Sequence, residues 1–488
     1  MRMNRRAQRN AYRAAAGRRG AGRELPVPLP INGLFSEAKN AEMSFQYAGE
    51  LLNWRSTGTL IETRPQYSSL ESAGDIIQRV PFEFSGSSFN INITASTATA
   101  AGNSVARSFN GLASVGYISN NVLLVDGLDR PLKFNGTTWE YTGFTTTTGA
   151  NQEDFDGVLI HHDRPYFWTR NGPLEFYSGD VGAVTGALDY FPLGRLGNIT
   201  GSISEMLSLT VNAGHGMNDI LAILTTTGQV VLYEGLDPTD PQDWRLLSKI
   251  SLAPPVGPKA MAKVGSDCWM LTPSGLVSVR QVLGQGGLAL VPTFSRAISD
   301  DILKKVEVGG EWQIHVSADK TAVIINRVYQ ESSEQWIYWT DSKTWSKANY
   351  PARNWHNLGR VTEFTAIDGS RNQLVRTEAG ADEMITAVLH TGWFRVAASG
   401  LNQIIPTILA KGDTTIRIAV LTDHNETETD LNEAWQTVTL DPEIDGDGVE
   451  TIALADEIAS DAVGDVYQIR MEITTKWAQI VNMKVVAT

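Results

Sequence analysis

The stretch Ile220-Leu221-Ala222-Ile223-Leu224, Thr225-Thr226-Thr227-Gly228, Val230-Val231-Leu232-Tyr233 decides the fold class. An apolar run breaks at a turn rich in threonine and ending in glycine. A second apolar run then closes on an aromatic residue, and Trp244 follows. Short β-branched runs bounded by turn residues are strand signals, and two of them this close together read as a hairpin.

The same plan recurs along the chain. Val122-Leu123-Leu124-Val125 runs into Asp126-Gly127. Leu276-Val277-Ser278-Val279 follows Ser274-Gly275. Thr321-Ala322-Val323-Ile324-Ile325 precedes Asn326, and Gln335-Trp336-Ile337-Tyr338-Trp339 precedes Thr340-Asp341-Ser342. Repeating units are expected at about 112–142, 156–192, 200–255, 259–294, 310–349 and 352–380. Small sheets that cannot bury both faces alone bury them by stacking radially, which is the logic of a β-propeller. A plain β-sandwich, or several small β domains, is the competing arrangement.

Helices are scarce. The best candidate is Asp300–Val306, with Ser299 as N-cap, acids in its first turn and lysines in its last. The runs Thr415–Leu421 and Tyr467–Ile473 alternate polar and apolar residues and read as half-buried strands. The expected class is mainly β. A basic N-terminal arm (1–30) leads to an entry segment forming a β-rich platform (31–110). A β-propeller (111–385) and a small C-terminal β-sandwich (386–488) follow.

Charge is unevenly spread over the 488 residues. Arg2, Arg5, Arg6, Arg9, Arg13, Arg18, Arg19 and Arg23 stand against one acid, Glu24, so residues 1–24 carry +7 and the rest carries −21 of the net −14. A basic tail on an acidic body is the pattern of an interaction arm. It suits nucleic acid or an acidic protein surface. The body repels phosphate. No apolar run reaches the length of a membrane span, and the N-terminus lacks the apolar segment of a secretory signal.

Chemical motifs are sparse. No phosphate-binding loop, nucleophile elbow, HExxH or paired CxxC is present. The single cysteine, Cys268, excludes an intrachain disulfide and reads as a small buried hydrophobe. His161 and His162 are expected in a strand, pointing to opposite faces; His215 is placed in a turn, and His390 and His424 are isolated. Glu443–Glu450 resembles part of a calcium loop but lacks the full pattern, and reads as an acidic hairpin turn. Glu153, Asp154 and Asp156 are a conceivable carboxylate pair for glycoside cleavage, with solvated loop acids as the plainer reading. The thirteen tryptophans fit blade cores better than sugar platforms. No catalytic, metal or cofactor site is expected.

Several stretches together resemble the tail nozzle, or tail hub, proteins of short-tailed (podovirus-type) bacteriophages. Residues 29–67 carry Asn32-Gly33-Leu34, Asn53-Trp54, Gly58 and Arg64-Pro65. Residues 122–141 carry Asp126-Gly127, Pro131, Asn135-Gly136-Thr137 and Trp139. Residues 161–168, 225–247, 266–279 and 341–355 continue the series. The chain departs at Lys343-Thr344-Trp345, where the family often has Gly-Ala-Trp, and the arginine-rich arm is not a general family feature.

The resemblance implies a structural virion protein rather than an enzyme. It implies a homohexameric ring below the portal and adaptor in the virion tail, with tail fibres or spikes as further partners. Genomic double-stranded DNA would pass through the channel without specific binding. An acidic body would then either let DNA slide or simply keep the free subunit soluble. The eight arginines would dock on a neighbouring subunit or on the adaptor ring. A glycan-binding or glycan-cleaving propeller is the alternative. A nucleic-acid binder acting through the arm is a weaker one.

Overall fold

The computed structural model describes residues 23–36, 46–84, 86–111, 113–146, 150–170, 172–212, 217–284, 295–375, 384–395, 400–411, 414–423, 435–440, 458–462 and 466–487. The chain forms two compact units, one of 67–340 with 349–374 and the other of 1–66, 341–348 and 375–488. Among the described residues, no helix is long and apolar enough to cross a membrane.

The larger unit is a β-propeller built from seven small antiparallel sheets in chain order. Blade 1 runs from Gln78–Phe84 to Asn103–Ala106, and blade 2 from Ser114–Ile118 to Trp139–Tyr141. Blade 3 runs from Gly157–His161 to Thr185–Phe191, with Gly143–Thr146 added parallel to its last strand. Blade 4 runs from Ile203–Asn212 to Arg245–Ser251. Blade 5 has three strands between Met261 and Ser278, after which the helices Val279–Gly284 and Arg296–Val308 take over. Blade 6 holds Glu311–Val316, Ala322–Tyr329 and Ser332–Trp339. Blade 7 holds Ala352–Leu358, Val361–Ala366, Arg371–Val375 and, on its outer edge, the early strand Gln66–Glu71.

From blade 2 onward, the first strand of each blade touches the first strand of the next, and that of blade 7 returns to that of blade 1. Inner strands facing one another leave polar backbone groups that need partners, and side chains supply them. Gln78 Nε2 donates to Ala113 O at 3.0 Å, and Ala113 N donates back to Gln78 Oε1 at 2.9 Å. Val158 N donates to Ser114 Oγ, which donates to Val158 O. Trp355 N and O are both taken by the Gln313 amide. Asn354 Nδ2 donates to Ile77 O at 2.8 Å, joining the last blade to the first.

Apolar packing fills the space between blades. Tyr166, Phe176, Phe191, Tyr233 and Trp244 form one aromatic stack between blades 3 and 4, with Tyr233 and Trp244 5.1 Å apart and nearly parallel. Most of the described tryptophans of this unit sit in such cores, as the strand pattern predicts.

The six units read from sequence all correspond to blades. The seventh is blade 1, at 78–106, which falls inside the segment expected as a platform. Its strands carry Pro81 and the polar run Ser87-Ser88-Phe89-Asn90, which hide the apolar signal. The helix expected from Ser299 starts earlier, at Arg296 after Ser295. Ser299 lies inside it, and its hydroxyl donates to Ser295 O at 3.0 Å.

The smaller unit has two sheets. One contains Trp54–Ser56, Ile61–Thr63, Trp477–Ala487, Leu401–Lys411 and Ile458–Ala462, with Arg23–Val27 paired to Trp477–Ala487. The other, within this unit, contains Thr344–Ala348, Ala48–Leu52, Ile385–Thr391, Tyr467–Thr475, Thr414–Thr422 and Gln436–Leu440. Alternate residues of Ile385–Thr391 and of much of Tyr467–Thr475 are buried, so one face is covered, as in a sandwich. The sandwich expected at 386–488 therefore also takes in residues 23–66 and 341–348. The reason is edge pairing: Ala48–Leu52 covers the edge of Ile385–Thr391, and residues 23–27 and 61–62 cover that of Trp477–Ala487.

Removing the Gln78 side chain leaves buried backbone groups of Ala113 without partners. Gln78→Ala is expected to lower the unfolding free energy by about 1–3 kcal/mol, read as a lower denaturant midpoint at unchanged slope. An unchanged midpoint would show that the inner-strand clamp contributes nothing.

Candidate functional site

An open cavity of about 770 Å³ lies where blades 2 and 3 meet. Its wall includes Asp126, Asp154, Asp156, Glu175, Tyr177 and Tyr190. Three of the acids stand at the ends of blade strands, and Asp154 ends the 3-10 turn Gln152–Asp154. Asp126 directly follows Asn121–Val125, Asp156 directly precedes Gly157–His161, and Glu175 directly precedes Phe176–Ser178.

A glycine brings two of the acids together. Gly127 has φ +73°, and a Cβ there would lie 2.8 Å from Asp156 Cβ. Glycine at this position lets the two blade ends approach this closely. Within blade 3, a Cβ at Gly157 would strike the indole of its cross-strand partner Trp168.

Asp126 is 2% exposed. Its Oδ1 accepts from Arg107 Nη2 at 2.8 Å and from Leu128 N at 3.4 Å, and the Asn110 backbone N–H also bonds the carboxyl. Burial pushes the Asp126 carboxyl above its usual range, with Arg107 opposing. Asp156 is half-buried and takes Arg170 N on Oδ1 at 2.9 Å, with Arg170 Nη1 3.9 Å from Oδ2. Burial raises its pKa too, Arg170 opposes, and the charge of Asp126 adds to the rise. On the opposite wall Tyr177 donates to Glu175 Oε1 at 2.8 Å, and Tyr190 also bonds Glu175. The two tyrosine rings are 5.6 Å apart. The cavity thus gathers carboxylates, with Glu175 held by two tyrosine hydroxyls.

A second polar line follows the inner strands. Glu205 of blade 4 is pushed up to about 7 by burial, opposed by Arg170 and Lys259. Lys259, just before blade 5, is pushed down to about 8 by burial and by Arg170. His161 and His315 are lowered to about 4, burial being the main cause for both, so both are neutral at pH 7.

The residues singled out from sequence fare differently. Asp154 and Asp156 reach the cavity wall, whereas Glu153 is exposed and donates nothing to it. Asp126 and Glu175 are the acids that reasoning missed. Neither local spacing nor composition could bring positions 126, 156 and 175 together; only the contact of neighbouring blades does. His161 ends a strand, but His162 stands in the following turn at φ +49°, so the rings meet 4.3 Å apart and do not point to opposite faces. His161 Nδ1 instead pairs with Ser208 Oγ at 2.9 Å. Among the described residues no group of three metal-binding side chains occurs. Cys268 is buried within Asp267–Thr272, and burial holds its thiol well above the ordinary range. His390 is kept neutral by burial and by Arg470 and Lys347.

Arg23 lies in the edge strand Arg23–Val27 of the sandwich, not in a free arm. Arg2, Arg5, Arg6, Arg9, Arg13, Arg18 and Arg19 lie outside the described residues, as do His215, His424 and the acidic run Glu443–Glu450.

No protein-family model and no curated protein matches the chain. A solved structure of YCF48 bound to D1 peptide is similar over 65% of this chain and 97% of that one, at 11% identity and a TM-score of 0.37. A putative 6-phosphogluconolactonase from Bacteroides fragilis NCTC 9343 is similar over 69% of this chain and 91% of that one, at 11% identity and a TM-score of 0.32. Likeness this distant carries no conclusion about activity.

A carboxyl with a raised folded pKa costs stability once ionised, so its penalty grows as pH rises above the unfolded value of about 4. Asp156→Asn removes that penalty and keeps the acceptor for Arg170 N. The variant's melting temperature relative to wild type is therefore expected to rise between pH 4.5 and pH 7. A relative fall over that range would reverse the assignment.

Proposed function

We propose that the chain is a structural, non-enzymatic subunit of the tail nozzle of a short-tailed bacteriophage. It would assemble as a ring of identical copies, six by family expectation, against the adaptor of the head-to-tail connector. The genome channel would be enclosed by the copies, and fibres or spikes would attach outside.

The observation that carries this reading is the job done by the family-like residues near the N-terminus. They build one buried knot in the sandwich unit. Gly33, at φ +83°, packs so tightly that a Cβ would lie 2.7 Å from Trp345 O, and Leu34 N donates to that same oxygen at 2.7 Å. Asn53 donates from Nδ2 to Thr386 O and accepts Arg64 Nε on Oδ1, each at 2.8 Å. Trp54 beside it is fully buried. Residues that fasten three distant chain segments suit a protein whose task is to hold shape.

The acidic body fits a lumen along which DNA slides, since like charge suppresses phosphate binding. Glu205, Lys259 and Arg170 lie together with mixed signs. Any acidic lumen surface would belong to the ring as a whole.

Negative-stain electron microscopy of the purified chain, alone and with its adaptor ring, tests the reading. Six-fold rings with a central hole are expected. A chain that stays monomeric even with the adaptor would overturn it, and would turn attention to the cavity's tyrosines and carboxylates as a glycan site.

A further inference from the structure

We propose that Lys259 forms an imine with small 2-oxo acids, in a site where Arg170 anchors the ligand carboxylate and Glu205 supplies the proton. The inference does not rest on the nozzle reading. Imine formation is stoichiometric binding and asks for no turnover.

Three neighbouring blades bring these groups together. Arg170 stands two residues beyond the blade 3 strand Arg164–Trp168. Glu205 lies near the start of the blade 4 strand Ile203–Asn212, and Lys259 two residues before the blade 5 strand Met261–Val264. Hydrogen bonds tie them to one place. Arg170 Nε donates to Ser204 O, next to Glu205, at 3.4 Å, and Met261 N donates to the Glu205 carboxyl. Lys259 O accepts from Ile314 N of blade 6 at 3.1 Å. The backbone is irregular on both sides. The pairing of Ile203–Asn212 shifts register between Ile203 and Glu205, and Lys259 takes φ +60°. Bulges re-aim side chains, and left-handed backbone at a non-glycine residue gathers at functional sites.

The charges here are left unanswered. Lys259 and Glu205 are half-buried, and neither forms an ion pair among the described residues. Glu205 Oε2 is buried without a hydrogen-bond partner. The ion pair of Arg170 with Asp156 is long, at 3.9 Å, which leaves guanidinium N–H groups for a ligand carboxylate. Burial and the charge of Arg170 hold the Lys259 ammonium below its usual range, with Glu205 and Glu311 opposing. A lysine so placed supplies the neutral amine that attacks a carbonyl. Burial raises Glu205, so a protonated carboxyl stands beside it near neutral pH.

The neutral amine of Lys259 adds its lone pair to the keto carbon, and the carbonyl π pair moves to oxygen. A proton passes from nitrogen to that oxygen and gives a carbinolamine. Glu205 then protonates the hydroxyl, which leaves as water while the nitrogen lone pair forms the C=N bond. The product is an iminium beside a Glu205 carboxylate.

The test treats the full-length chain near neutral pH with pyruvate and sodium cyanoborohydride, which traps an iminium as a stable amine. Adducts are mapped by peptide mass spectrometry. Lys259 is expected to carry at least tenfold more adduct than any other lysine. Acetone lacks the carboxylate, and its preference for Lys259 over the exposed lysines should be at least tenfold lower. Arg170→Gln should remove most of that difference, and Glu205→Gln should slow labelling by pyruvate severalfold. The comparisons between lysines and between ketones use the wild-type chain and stand even where a variant unfolds. Labelling spread over the exposed lysines, an unmodified Lys259, or acetone as selective as pyruvate would overturn the proposal.

Discussion

A ring of small sheets holds only if its last member is fastened to its first. Here that task falls to the strand Gln66–Glu71, which leaves the sandwich unit and becomes the outer strand of blade 7. The pairing joins residues some 300 positions apart, as the Glu71–Arg371 ion pair at 2.9 Å records. Closing so long a loop costs entropy, but the cost grows only with the logarithm of loop length. The surrounding charges reinforce the closure. Arg371 also holds Glu363 at 2.8 Å, and Arg79 of blade 1 reaches Glu71 at 3.2 Å. Burial pushes the Glu363 carboxyl up, yet hydrogen bonds from His356 and Arg371 outweigh it and hold the group down to about 2. One acid on the closing strand thus meets cations from the last blade and from the first.

Once the ring is closed, the inner strands become neighbours, and their side-chain clamps and interblade aromatic stacks follow. The cavity follows as well. Its acids stand on blade ends that have no relation in sequence, and Gly127 lets the ends of blades 2 and 3 press together. Burial pushes the carboxyls of Asp126 and Asp156 up, and Arg107 and Arg170 oppose it.

Much of this was legible from residues alone. Runs such as Ile220–Leu224 and Val230–Tyr233 announce hairpins because β-branched side chains and turn residues act locally, and six blades were placed on that basis. Blade 1 was not, because Pro81 and a polar first half of Ser87–Ile93 weaken the pattern while the neighbouring blades still bury Ile91 and Ile93. The reach of the sandwich was hidden for a related reason. Ala48–Leu52 and Arg23–Val27 earn their places by covering the edges of strands more than 300 residues later, which no local signal encodes. Of the cavity, only Asp154 and Asp156 could be flagged, since they share a loop. Asp126, Glu175 and the two tyrosines join them through blade contact alone.

The most direct test of the account is native-state hydrogen exchange followed by mass spectrometry on the intact chain. If Gln66–Glu71 closes the ring, its amides should open together with Val361–Ala366 and Arg371–Val375, at one common free energy and with one dependence on denaturant. Fast, independent exchange of residues 66–71 while blade 7 stays protected would contradict the closure, and with it the order in which the rest of the propeller is held.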